Sequence, residues 1–92
     1  MTKINKYKIS DHALLEMQRR QITRSEIKRI LASPEQYEII RPGRMVFQSR
    51  IKFSEPPKNY LLRVFNDVDR DTPEVITAYR TSNIEKYWRT KI

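Results

Sequence analysis

Residues 22–47 read ITRSEIKRILASPEQYEIIRPGRMVF, and within them the apolar period switches from helical to extended. Thr23 and Glu26 have the spacing of a capping box, in which each side chain accepts from the other residue's backbone N–H. Ile22 and Ile27 occupy the two staple positions beside it. Ile27, Ile30 and Leu31 then recur at helical spacing, and Pro34 disfavours helical geometry at Ser33 and so ends the helix. Beyond it, Tyr37–Arg41 and Met45–Ile51 are short β-prone runs flanking Pro42-Gly43, the pair a type II turn favours at its centre. A helix with one apolar stripe followed by strands calls for a helix-on-sheet layer.

Working backwards, residues 7–10 lead in as a short strand, and Ser10 or Asp11 caps a first helix running to about Gln21. On a wheel of about 100° per residue, Ala13, Leu14 and Met17 gather on one side. His12, Glu16 and Arg19 gather on another, which puts the lone histidine on a polar stripe. Working forwards, Asn59–Asn66 and Glu74–Thr81 are two more strands, joined through the polar, turn-like stretches Lys52–Lys58 and Asp67–Pro73. Ser82 and Glu85 repeat the capping-box spacing and open a short C-terminal helix containing Ile84 and Trp88. The expected order is ααββββα. It describes a single α+β domain over residues 1–92, with two N-terminal helices, a four-stranded antiparallel meander and a short C-terminal helix. The helices are expected on one sheet face. No repeat, linker or low-complexity segment interrupts the chain.

Only 38% of the 92 residues are apolar and 33% are charged, so the core must be thin. No apolar run nears the roughly 20 residues that cross a bilayer. The opening Met1–Lys6 lacks the apolar stretch of a secretory signal, and there is no cysteine. A cytoplasmic protein is the expectation. Nineteen Lys and Arg against 11 Asp and Glu give +8, more than solubility needs, and imply a polyanionic partner, nucleic acid or an acidic protein. One histidine without cysteine leaves no zinc cluster, and Gly43 alone cannot make a Gly-rich phosphate loop. Chemistry without cofactor or metal is therefore expected. Asp67, Asp69 and Asp71 alternate like the start of a calcium loop. Thr72 and Ala78, however, stand where glycine and glutamate are required, so a solvated turn is the reading.

His12 is the natural general acid or base near neutral pH, against the plainer reading of a surface or helix-cap histidine. Glu16, one turn later, has the spacing to hold the ring. Arg50, Arg63 and Arg80 interrupt apolar β-runs, where a charge is costly unless it faces water or an anion. Three such residues suggest a cationic sheet face, and unknown hairpin registers leave open whether they share it. Tyr79-Arg80-Thr81-Ser82 runs a strand into a helix N-terminus, a place that favours an anion, although Thr81 and Ser82 can equally serve only as caps. Tyr7, Tyr60, Tyr79, Tyr87 and Trp88 read mostly as core or sheet-edge residues, with one or two available to stack on bases.

Three stretches together resemble the DUF4258 domain family: ISDHALLEMQRRQIT at 9–23, YLLRVF at 60–65 and VITAYRTSNIEKYW at 75–88. The likeness covers about residues 7–88. It implies a branch of the RelE/ParE-like toxin group, including BrnT-type toxins, whose members are commonly metal-independent ribonucleases held inactive by a cognate antitoxin. By motif position, His12 matches the family's helix histidine, while Arg63 and Arg80 match its sheet arginines.

Two functional expectations follow. In a metal-independent ribonuclease, the ribose 2′-hydroxyl attacks while His12, oriented by Glu16, moves a proton, and Arg63 and Arg80 hold the scissile phosphate. Tyr79, Ser82 or Lys86 is then the second proton donor or phosphate ligand. Lys8, Arg19, Arg20, Lys28, Arg29 and Arg50 follow the RNA backbone, and a small acidic antitoxin is the partner. The alternative is a non-catalytic basic module that docks RNA or an acidic protein.

Overall fold

The computed structural model describes residues 4–89. Ser10 Oγ accepts the Ala13 backbone N–H at 3.0 Å and opens helix α1, Asp11–Arg20. α1 ends at Gln21, whose φ of 57° is the left-handed turn that terminates many helices. The capping box forms as expected: Thr23 N donates to Glu26 Oε1 at 2.9 Å, and Glu26 N donates to Thr23 Oγ1 at 3.1 Å. Helix α2, Arg24–Ala32, follows and buries Ile27, Ile30 and Leu31.

The strands are β1 (Lys8–Ile9), β2 (Gln36–Arg41), β3 (Arg44–Phe53), β4 (Lys58–Asp67) and β5 (Glu74–Thr81). β2 to β5 form the expected antiparallel meander. Gly43 sits at φ 84° in the β2–β3 turn, as the third position of a type II turn requires. A Cβ there would also collide with the Asp69 carboxylate.

The sheet corrects the four-stranded antiparallel expectation, because it has five strands and is mixed, in the order β1-β5-β4-β3-β2. β1 lies parallel to β5, with Lys8 N donating to Pro73 O at 3.0 Å and Ser10 N donating to Val75 O at 3.0 Å. A two-residue strand is too short to show any alternation, so its pairing is invisible in sequence. The Ser82–Glu85 capping box does not form. Instead the Thr81 hydroxyl accepts the Asn83 N–H at 3.1 Å, a local turn that delays the helix. Helix α3 is therefore only Ile84–Tyr87, with no side-chain cap and with Trp88 beyond its end.

Side-chain alternation divides the sheet into two faces. α1 packs on β5, and α2 on β3 and β4. Beneath the two helices lie Phe47, Ile51, Leu62, Val64, Val75 and Ala78. Val75 and Ala78 share this face despite their odd spacing because β5 bulges: Asn66 opposes Val75 and Phe65 opposes Thr77, leaving Ile76 unpaired. The second face carries Gln48, Arg50, Arg63, Phe65 and Tyr79. α3 lies across it, with Gln48 Nε2 donating to Tyr87 O at 3.1 Å. The expectation of all helices on one face is thus corrected. Among the described residues no helix is long and apolar enough to cross a membrane.

At the β3–β4 end, Arg44 Nε and Nη2 grip the Asp67 carboxylate at 2.7 and 3.1 Å, and Arg70 adds a third bond at 3.2 Å. Arg44 holds the Asp67 carboxyl below its ordinary value of 3.8. Arg50 and Arg89 do the same for Glu35 and Glu38, below 4.5. In each case the folded state takes up a proton less readily than the unfolded chain. The stabilisation is therefore complete above the ordinary values and lost as pH falls through the lowered ones. The urea midpoint is expected to drop below about pH 4, and Asp67→Asn is expected to flatten that drop. An acid response identical in the variant and the wild type would remove Asp67 from it. Thr23→Ala is expected to cost about 1 kcal/mol by urea denaturation, since it leaves the Glu26 N–H without its cap. No measurable change would mean that tertiary packing alone starts α2.

Candidate functional site

Arg63 stands at the middle of β4, and its direct cross-strand neighbours are Gln48 on one side and Tyr79 on the other. All three side chains therefore rise from the second face. Arg63 Nε donates to Gln48 Oε1 at 2.8 Å, and Nη1 donates to Tyr79 Oη at 2.8 Å. The guanidinium carbon lies 4.2 Å from the centre of the Tyr87 ring and 5.3 Å from that of Phe65. Arg63 is only 7% exposed, yet it forms no ion pair among the described residues. Burying an unpaired charge is costly, and here neutral acceptors, aromatic faces and the more distant Glu38 carboxylate offset that cost. Nη2 has no hydrogen-bond partner among the described residues. Tyr79 Oη, accepting from Arg63, keeps its own proton to donate.

The segment 84–89 is tied over this face by backbone groups. Gln36 Nε2 donates to Arg89 O at 2.7 Å, and Arg89 N donates back to Gln36 Oε1 at 3.0 Å. Arg89 also pairs with Glu38. Arg50 stacks on Trp88 with its guanidinium carbon 4.2 Å from the ring centre, while Glu35 neutralises it at 3.0 Å. Lys86 is exposed beside Tyr87, its Nζ 5.3 Å from that ring's centre. Gln48 and Phe65 were not among the expected site residues. A glutamine inside the apolar run 45–51 was the available signal for the first.

The remaining expected residues lie elsewhere. Arg80 follows Tyr79 on β5 and so turns to the helix side, opposite Leu62. Its guanidinium carbon sits 3.6 Å over the Phe53 ring, and Nη2 donates to the Gln21 carbonyl that ends α1. Nε is buried without a partner among the described residues, and burial pushes the Arg80 pKa down. The expectation that Arg63 and Arg80 grip one phosphate is corrected, since consecutive strand positions put them on opposite faces.

His12 is exposed in the first turn of α1, on the helix side, with the sheet between it and Arg63. Arg80 shares its side, but at the far end of a ten-residue helix about 15 Å long. Glu16 does not orient His12. It is buried and bonded to Arg19 at 3.1 Å and to Arg20, because a helical side chain reaches i+3 and i+4 partners on its own stripe. Arg20 is held further by the Ala78 carbonyl at 2.8 Å. Lys8 is exposed on β1, and Ser82 is exposed ahead of α3 without capping it.

Residues 9–80 match the family described as Domain of unknown function (DUF4258), and the chain belongs to that family. No curated protein and no solved structure matches it.

Proposed function

We propose that the chain is a small basic module that binds RNA through a phosphate seat at Arg63. One observation carries the reading: a buried guanidinium, without an ion-pair partner among the described residues, has one nitrogen with no hydrogen-bond partner there, on a face rimmed by Lys86 and aromatic rings. Guanidinium matches phosphate geometry, and the neighbouring rings suit bases. The +8 charge supplies long-range attraction. A small acidic antitoxin is the protein partner that the toxin reading implies, and it would compete for the same face.

The Arg63–Tyr79 pair favours a second reading, metal-independent ribonuclease action. The ribose 2′-hydroxyl gives its proton to water and attacks the adjacent phosphorus, Arg63 neutralises the developing phosphorane charge, and the Tyr79 phenol or Lys86 delivers a proton to the departing 5′-oxygen, leaving a 2′,3′-cyclic phosphate and a 5′-hydroxyl; the acid then regains its proton from water. In this version His12 has no part, because the sheet separates it from Arg63.

Binding of a labelled RNA oligonucleotide, followed by fluorescence anisotropy, is expected to weaken at least roughly tenfold in Arg63→Gln, the loss of one charge-assisted contact. Equal affinity in that variant would sink the seat. Incubation with labelled RNA in EDTA separates the two readings. Shortened products that fall about 10²–10⁴-fold in Tyr79→Phe or Lys86→Gln, but not in His12→Ala, support cleavage. Intact RNA, or cleavage that survives both of the first two variants, rejects it.

A further inference from the structure

The cations outside the Arg63 face are not evenly spread. We infer that the groove between the N-terminal segment and α2 is a second nucleic-acid site, a track for the sugar–phosphate backbone of single-stranded RNA. This rests on the RNA-binding reading above and adds a surface that reading does not include.

The groove encloses about 690 Å³ and is lined by Lys6, Lys8, Arg24 and Lys28, together with Tyr7 and Ser25. Among the described residues no acidic side chain lines it. All four cations are exposed, and among the described residues none forms an ion pair. Two nearby carboxylates are already engaged. Glu74, across from Lys8 in the β1–β5 pairing, is bonded to Arg70 at 2.8 Å. Glu26, on α2, turns back to the Thr23 N–H at 2.9 Å. Four like charges held together repel one another, and a bound polyanion relieves that repulsion.

The walls are fixed at both ends. Ile4 is buried in the core, and its N–H donates to Leu31 O on α2 at 2.7 Å. Four residues later, Lys8 N is tied to Pro73 O beside β5. The segment thus bridges α2 and the sheet edge, and the groove needs little ordering when a ligand enters. Lysines spaced along an open trough suit a flexible strand whose phosphates follow the charges, while Tyr7, between Lys6 and Lys8, packs against the core and sets the floor of the trough.

The test is a salt series on a fluorescein-labelled oligouridylate, with four proteins compared. These are the wild type, Lys8→Gln/Lys28→Gln, Lys52→Gln/Lys58→Gln and Arg63→Gln. The second pair of lysines sits at the β3–β4 hairpin, outside the residues that line the groove, and removes the same charge. The log K against log salt slope is expected to fall in magnitude by about 1.4 in the groove variant, about 0.7 per lost phosphate contact. It is expected to stay near the wild-type value in the hairpin variant. An unchanged slope in the groove variant, while Arg63→Gln weakens binding, overturns the groove and leaves the Arg63 seat standing. Equal losses in the two lysine pairs overturn it too, since overall charge would then suffice. Polyglutamate competing as well as RNA at matched charge would assign the groove to an acidic protein instead. A wild type that binds no RNA defeats both readings together.

Discussion

The register of β4 between β3 and β5 is the constraint on which the rest of the molecule depends. It sets Gln48, Arg63 and Tyr79 in one row and Phe47, Val64 and Ala78 in the next. The first row meets solvent and the C-terminal segment, while the second meets two helices. A one-residue slip would exchange the rows, burying a guanidinium in an aliphatic core. The grouping of Arg63 with Tyr79 is therefore a matter of strand parity.

Much of this fold can be read from local chemistry. Thr23 and Glu26 announce α2, Pro42-Gly43 announces the tightest turn, and the β-branched and aromatic runs mark the long strands within two residues of their ends. What escapes is non-local. β1 contributes two residues whose partner lies more than sixty positions away, and no period exists in so short a piece. The Thr81 hydroxyl outcompetes the Ser82–Glu85 box through a single turn bond, a choice that spacing alone cannot decide.

The site was legible in its residue types and not in its grouping. Arg63 and Tyr79 stand together as a charge beside a phenol, whereas Arg80 and His12 look equally eligible in sequence and lie on the other side of the sheet. The helical stripe of His12, Glu16 and Arg19 is real as a wheel position. Its carboxylate is nonetheless committed to two arginines and does not reach the imidazole. Periodicity says which residues share a stripe. Only competition among the partners on that stripe says which of them bond.

The unpaired Ile76 has a bearing on how the chain can change length. Remove it, and Val75 and Thr77 become ordinary neighbours in the ladder, opposite the same Asn66 and Phe65 they face now. The sheet would keep its phase. Losing a residue between Ala78 and Arg80 would instead shift the downstream half of β5 out of phase and turn its cationic and aromatic members to the wrong sides. Homologous chains that differ by one residue in this strand are thus expected to show the gap at the bulge, the one joint where the ladder already holds a spare residue.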